Sequence, residues 1–263
     1  MKRALTIAGS DPCGGAGIQA DLKTFWGFGV YGLSVITSAT AQNTVGVWAI
    51  HPLPARFVAR QIDTIFSDIE LQAVKTGMLH RRSIVKVVGQ CLKRYKVQNL
   101  VVDPVITATS GATLLEPQAV ELLKTELIPL AKVVTPNLFE AQILAGTKPV
   151  ETLDGMKRAA ESLWELGPEF VLVKGGHLED QAVDLLFDGN RFREFRAEKV
   201  SPGIHGTGCV FSAAITAGLS QGWDVPEAVE KAKEFITKAF GSSIKLGKGQ
   251  RVTNINPQSA LRR

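Results

Sequence analysis

The sequence predicts an α/β fold with a mostly parallel central sheet and helices on both faces. Short apolar, β-rich runs alternate with stretches whose apolar residues recur at helical spacing. Several of the runs end in polar or glycine-rich loops: Gly9-Ser-Asp11, Lys75-Thr-Gly77, Asp103-Pro104, Thr135-Pro-Asn137 and Lys174-Gly-Gly176. Open α/β sheets gather their ligands at such strand ends. No linker, repeat or low-complexity segment interrupts the 263 residues, so a single domain over 1–263 is expected.

In chain order, Ala4–Ala8 reads as a first strand, and Ile18–Phe28 as a helix stopped near Gly29. Leu33–Thr40 and Val45–Ile50 are β-rich, split by Gln42-Asn43-Thr44. Pro54 opens a helix with Phe57, Val58, Ile62, Ile65 and Phe66 on one stripe. Ala73-Val74-Lys75 is a short strand, Ser83–Tyr95 an amphipathic helix, and Leu100–Asp103 a buried-type strand ending in a carboxylate. Helix Pro117–Leu127, strand Lys132–Thr135, helices Asn137–Ala145 and Leu153–Leu166, and strand Phe170–Lys174 follow. Asp188-Gly-Asn190 between Val183–Phe187 and Arg191–Phe195 signals a hairpin. Helices Val210–Leu219 and Pro226–Ile244 close the pattern, and the tail from Gly247 has no periodicity.

Composition narrows the function. Hydrophobic residues at 45% and charged residues at 21% are ordinary for a soluble globular protein. No apolar run approaches a membrane span. The formal charge of +5 is spread along the chain, with Arg81-Arg82 and Arg262-Arg263 its tightest clusters, which excludes a basic nucleic-acid arm. The three cysteines form no CxxC pair and no metal-ligand spacing, which favours a reducing, cytoplasmic setting. Cys13 and Cys91 read as structural.

The most informative stretch is Ser201-Pro-Gly-Ile-His-Gly-Thr-Gly-Cys209, which runs from a glycine-rich loop into a small apolar helix. The first N–H groups of a helix lack partners and lie at the positive end of its dipole, so the loop is a seat for a phosphate or phosphoryl group. Cys209 at the helix start is expected to gain thiolate character from the same field. The alternative is a tight loop holding a small buried cysteine. Asn137 and Glu140 lie i, i+3 on a first helical turn, as a capping box, as residues orienting water around a hard divalent cation, or as both. Asp103 ends an apolar strand where a site role is expected. Gln42 offers an amide edge that complements a ring nitrogen beside an exocyclic amine, or else is a solvated turn residue. Met78 is core or a ring-stacking surface, Lys174 is placed to pair a phosphate, and His205 is a site or turn residue. The P-loop pattern is absent. Gly15-Ala-Gly17-Ile-Gln-Ala20 fits a loose dinucleotide pattern, but no carboxylate stands near Ala39–Asn43 to support it.

Taken together, seven stretches resemble the hydroxymethylpyrimidine/phosphomethylpyrimidine kinases of thiamine biosynthesis, in the ribokinase-like superfamily. They are Ala8–Phe25, Thr40-Ala-Gln-Asn-Thr44, Lys75-Thr-Gly-Met-Leu79, Val102-Asp-Pro-Val105, Thr135-Pro-Asn-Leu-Phe-Glu-Ala141, Val173-Lys-Gly-Gly-His177 and His205-Gly-Thr-Gly-Cys209. The resemblance implies a three-layer ribokinase-like fold and phosphoryl transfer from ATP, with Mg²⁺ and optionally a monovalent cation. The substrates it implies are 4-amino-5-hydroxymethyl-2-methylpyrimidine and then its monophosphate. It places catalysis at Gly206, Thr207, Gly208 and Cys209, the last as base for the hydroxyl. Pyrimidine binding falls on Gln42, Asp21, Met78 and Gly9; ATP and phosphate binding on Lys174, Asp103, Thr207 and His205; metal binding on Glu140, Asn137 and Asp103. A homodimer is also implied.

Two departures stand out. Thr109 replaces the lysine usual in the family's Asp-Pro-Val-Met-Val-Ala-Lys-Ser-Gly segment, and the stretch from Gly247 lacks the usual Gly-Pro-Val tail. A neighbouring pyridoxal kinase branch shares the Gly-Cys loop but has Ala-Met-Asp-Pro at the position of Gln42, which sets pyridoxal as the alternative substrate. A non-catalytic binding protein of this fold is the other alternative; the intact loop and Glu140 argue against it.

Overall fold

The computed structural model describes residues 1–108, 111–176, 182–197 and 203–255. Thr109, His177, Ser201, Pro202 and the Arg262-Arg263 pair lie outside the described residues. The chain runs β1 (Arg3–Ser10), α1 (Gly17–Gly27), β2 (Tyr31–Gln42), β3 (Val47–Pro52), α2 (Ala55–Phe66), β4 (Ala73–Thr76), α3 (Arg82–Arg94) and β5 (Leu100–Val102). Then come α4 (Pro117–Leu122), β6 (Val133–Val134), α5 (Leu138–Ala145), α6 (Leu153–Trp164), β7 (Phe170–Gly175), β8 (Ala182–Phe187) and β9 (Phe192–Ala197). Last are β10 (Ile204–His205), α7 (Thr207–Gln221), α8 (Val225–Gly241) and β11 (Arg251–Val252).

Among the described residues, nine strands form one sheet in the order β3-β2-β1-β4-β5-β6-β7-β8-β9. The centre, β2 to β7, is parallel, while β3 and the β8–β9 pair are antiparallel additions at the two edges. The central strands are buried on both faces, which is why they read as continuous apolar runs. On one face Val58 and Ile62 of α2, Ile84 and Val88 of α3, and Ala159 and Leu163 of α6 pack against Leu5, Ile7 and Val102. On the other, α7 and α8 press Val210, Ile215 and Val229 onto Val101, Val133 and Leu172. The expected three-layer ribokinase-like architecture is present.

Two expected boundaries change. The helix begun at Pro117 widens into a π turn at Leu123–Leu127 and tightens over Ile128–Leu130, where Pro129 supplies no N–H to continue the ladder. The last helix stops at Gly241, because Ile244 leaves it to exchange backbone hydrogen bonds with Val252 at 3.0 and 2.9 Å. The aperiodic tail thus contributes β11, which pairs in parallel with β10. Two-residue strands are too short to show a period in the sequence.

Candidate active site

The turn into α7 is set by its neighbours. Gly206 adopts φ +80°, and a Cβ there would lie 1.8 Å from the Gly15 carbonyl oxygen, so only glycine lets the two loops touch. α7 begins at Thr207 without a side-chain cap, which leaves first-turn N–H groups free for a ligand. Thr207, Gly208 and Cys209 at the tip are half-buried, while every residue from Val210 to Ser220 behind them is buried, so the body of the helix is shielded from solvent.

A charged group stands beside the tip. Lys174, on β7, donates from Nζ to Asp103 Oδ1 at 3.0 Å, and Ser212, one turn into α7, donates to Asp103 Oδ2 at 2.9 Å. Nζ of Lys174 is 3.2 Å from where a Cβ on Gly208 would sit, so the ammonium faces the helix tip. Burial opposes charge on Asp103, but Lys174 and Lys75 outweigh it and hold the carboxyl below its usual range. Burial likewise opposes the Lys174 ammonium, and Asp103 with Glu140 reverses that and holds it above its usual range.

Asn137 and Glu140 form the capping box of α5: Asn137 Oδ1 accepts from Glu140 N, and Glu140 Oε2 accepts from Asn137 N, both at 2.9 Å. Glu140 Oε1 also accepts from Ile106 N at 3.1 Å. Val105, a β-branched residue, is held at φ +46° just before that N–H. Burial pushes the Glu140 carboxyl up, against the pull of Lys174.

Below the tip, Lys75 of β4 donates to both oxygens of Asp21 at 2.8 and 2.9 Å, and Thr6 donates to Asp21 Oδ2 at 2.6 Å. Both charged side chains are fully buried. Asp21, expected as a pocket carboxylate, thus spends both oxygens on Lys75 and one of them also on Thr6. Burial opposes the Lys75 ammonium, yet Asp21, then Cys209 and Asp103, hold it above its usual range.

At the C-terminal end of β1, a Cβ on Gly9 would meet Met78 Cε at 2.5 Å, which seats the Met78 side chain over the strand end. Gln42 ends β2 half-buried; its Nε2 lies 3.0 Å from His205 Nε2, and its Oε1 is 3.2 Å from Thr40 Oγ1. His205 Nε2 is also 3.0 Å from Asp11 Oδ2. Asp11 organises the loop before α1, accepting from the N–H groups of Cys13, Gly15 and Ala16 and from the Cys13 thiol. His205, expected at the phosphate, thus has its Nε2 atom between Gln42 and Asp11. Cys13, read as structural, belongs to this same cluster with Asp11 and His205.

A family model described as phosphomethylpyrimidine kinase matches residues 11–254. The chain belongs to the phosphomethylpyrimidine kinase family.

It is 49% identical over 249 residues to the hydroxymethylpyrimidine/phosphomethylpyrimidine kinase of Rhizobium meliloti, covering 94% of this chain and 93% of that one. Among solved structures, the Bacillus subtilis pyridoxal kinase in its ADP complex superposes with a TM-score of 0.91 at 39% identity, covering 99% of both chains. The phosphomethylpyrimidine kinase of Clostridium difficile gives a TM-score of 0.82 at 47% identity, over 91% of this chain and 99% of that one.

For a member of the phosphomethylpyrimidine kinase family, the state of Cys209 matters most. The expected thiolate character is reversed. Burial pushes the thiol up to about 11, ahead of the opposing pull of Lys75, with Asp21 and Asp103 adding to the rise. A helix tip favours an anion, but desolvation of the sulfur wins here. The free protein therefore holds Cys209 as a thiol. Iodoacetamide labelling read peptide by peptide is expected to be slow at about pH 7–8 and to climb through about pH 11. A plateau below about pH 9 would contradict this.

The metal expectation is tested by the donor set. Both Glu140 oxygens accept backbone N–H groups, and the Asp103 oxygens accept from Lys174 and Ser212. Such carboxylates fit a hydrated Mg²⁺ carried in by phosphates, held through water, better than an ion caged by protein. Sequence reading missed Lys75, Ser212, Thr6 and Asp11 as site residues. Lys75, a lysine inside an otherwise apolar strand, and Asp11, in the polar loop at the end of the first strand, each left a signal.

Proposed function

We propose that this protein transfers the terminal phosphoryl group of ATP to 4-amino-5-hydroxymethyl-2-methylpyrimidine and then to its monophosphate, in thiamine biosynthesis. One observation supports this most: His205, 3.0 Å from the Gln42 amide, directly precedes the Gly206–Cys209 helix tip. A pyrimidine-reading group and an anion seat are therefore one residue apart. Gln42 reads the aminopyrimidine edge, Met78 and Gly9 bound the ring, and the N–H groups of Thr207, Gly208 and Cys209 receive the phosphoryl oxygens. Lys174 neutralises charge at the same place, and Asp103 holds Lys174 there. Mg²⁺, held through water by Glu140 and Asp103 with Asn137 shaping the turn, supplies further neutralisation of the phosphates.

With Cys209 protonated, positioning and charge neutralisation carry the reaction, as a loose phosphoryl transition state allows. A thiol cannot accept a second proton, so any base role belongs to the minor thiolate form of Cys209, which takes the hydroxymethyl proton as the new P–O bond forms and the bond to the leaving ADP oxygen breaks; such a role is confined to the first step. The proposed unit is one kinase domain over residues 1–263, working in the cytoplasm as a homodimer. Exposed Val45 and Trp48 around the edge strand β3 support that assembly.

ADP release measured with the aminopyrimidine, its monophosphate and pyridoxal tests the reading. Turnover is expected with the first two and slower turnover with pyridoxal; faster use of pyridoxal would overturn the substrate and leave the chemistry. In the same assay Cys209→Ala is expected to slow the hydroxymethyl step by roughly 10²-fold and the monophosphate step far less. Equal losses would remove the proton-accepting role.

A further inference from the structure

The hydrogens around Gln42 can be counted. Thr40 has one hydroxyl hydrogen, and its Oγ1 lies 3.0 Å from the Ser10 carbonyl oxygen, which can only accept. Once that hydrogen goes to Ser10, the Thr40 oxygen faces the Gln42 amide, 3.2 Å away, as an acceptor. An amide nitrogen belongs there.

A second count is independent of the first. A neutral imidazole nitrogen carries either one hydrogen or one lone pair. His205 Nε2 lies 3.0 Å from Asp11 Oδ2, and Asp11 also takes N–H groups from Cys13, Gly15 and Ala16. Burial opposes charge on Asp11, but the bonds from His205 and Cys13 outweigh it and keep the carboxyl below its usual range. Facing a carboxylate, Nε2 carries the hydrogen. It then has no lone pair for a Gln42 N–H, so the amide atom 3.0 Å away is the oxygen. Amide oxygen and nitrogen exchange places with almost no change of shape. Both counts require that exchange.

We propose that His205, held by Asp11, is a positioning residue for substrate specificity: it turns the Gln42 amide oxygen toward the Gly206–Cys209 loop and so sets which way the pyrimidine points. The inference rests on the function proposed above. In the substrate ring the order is ring nitrogen, carbon bearing the amine, carbon bearing the hydroxymethyl group. The amide nitrogen donates to the ring nitrogen and the amide oxygen accepts from the amine. The hydroxymethyl carbon therefore lies beyond the oxygen, on the side of His205 and the helix tip. A reversed amide would turn the hydroxyl away from the phosphoryl group. Two sequence features with separate expected roles, Gln42 and His205, thus act as one unit.

Steady-state kinetics on the full-length protein tests this, with thermal unfolding to confirm that each variant folds. His205→Ala is expected to raise KM for the aminopyrimidine roughly tenfold while KM for ATP stays within about twofold. It should also lose the preference for the aminopyrimidine over an analogue with an oxo group in place of the amine. His205→Asn, whose amide is too short to reach Gln42, should behave alike, and serves if the alanine variant does not fold. His205→Gln, which restores an N–H near the position of Nε2, should recover most of the affinity. Gln42→Ala combined with His205→Ala should be no worse than Gln42→Ala alone. A rise confined to KM for ATP, or additive losses in the double variant, would overturn the assignment. Wild-type protein that releases no ADP with either pyrimidine would instead overturn the proposed function.

Discussion

Lys174→Met is expected to lower kcat by about two to three orders of magnitude, with KM for the aminopyrimidine within about twofold. The side chain keeps its length and loses its charge. In the protein that charge faces the Gly208 position and is held by Asp103 at 3.0 Å. Charge moving from the nucleotide to the acceptor oxygen meets the ammonium where solvent screens it poorly. The variant also removes the ion-pair partner of buried Asp103 and leaves it Ser212 and the charge of Lys75, so unfolding by urea should be run beside the kinetics to separate lost stability from lost catalysis. Unchanged kcat with a raised KM for ATP would make Lys174 a ground-state binding group. Unchanged kinetics would place phosphoryl transfer elsewhere.

Asp21→Asn is the change expected to harm folding most, by about 3–5 kcal/mol in urea unfolding. It barely alters volume, but it strands the fully buried Lys75 ammonium, which donates to both Asp21 oxygens. The paired change Asp21→Asn with Lys75→Met should recover a substantial part of the loss, because no uncompensated charge remains. A cost below about 1 kcal/mol for the single change would mean that water reaches Lys75 and that the pair is a surface-like bridge.

What the sequence made legible was local. Alternating apolar runs and helical stripes located the elements, and Asp103 and Lys174 stood out as charges at the ends of strands. The Asn137–Glu140 pair is an i, i+3 relation within one turn, so its capping box was readable from spacing alone. Gly206 and Gly208 before a small apolar helix likewise pointed to an anion seat. What stayed hidden depends on contacts between distant residues. Asp21 and Lys75 are 54 positions apart, and Asp11 and His205 are 194 apart. No periodicity encodes such pairings, and so neither the Lys75 partner of Asp21 nor the approach of His205 to Gln42 was readable. Cys209 failed for another reason. Its place at a helix start was legible, but the sign of its shift depends on how much protein surrounds the sulfur, and burial exceeded the pull of the helix tip and Lys75.

The account's central claim concerns the tip of α7, and a crystal structure with the aminopyrimidine and a non-hydrolysable ATP analogue tests it directly. The terminal phosphate is expected within hydrogen-bond distance of the Thr207, Gly208 and Cys209 N–H groups, with the hydroxymethyl oxygen in line with it. A nucleotide whose phosphates lie on any other loop would contradict the account.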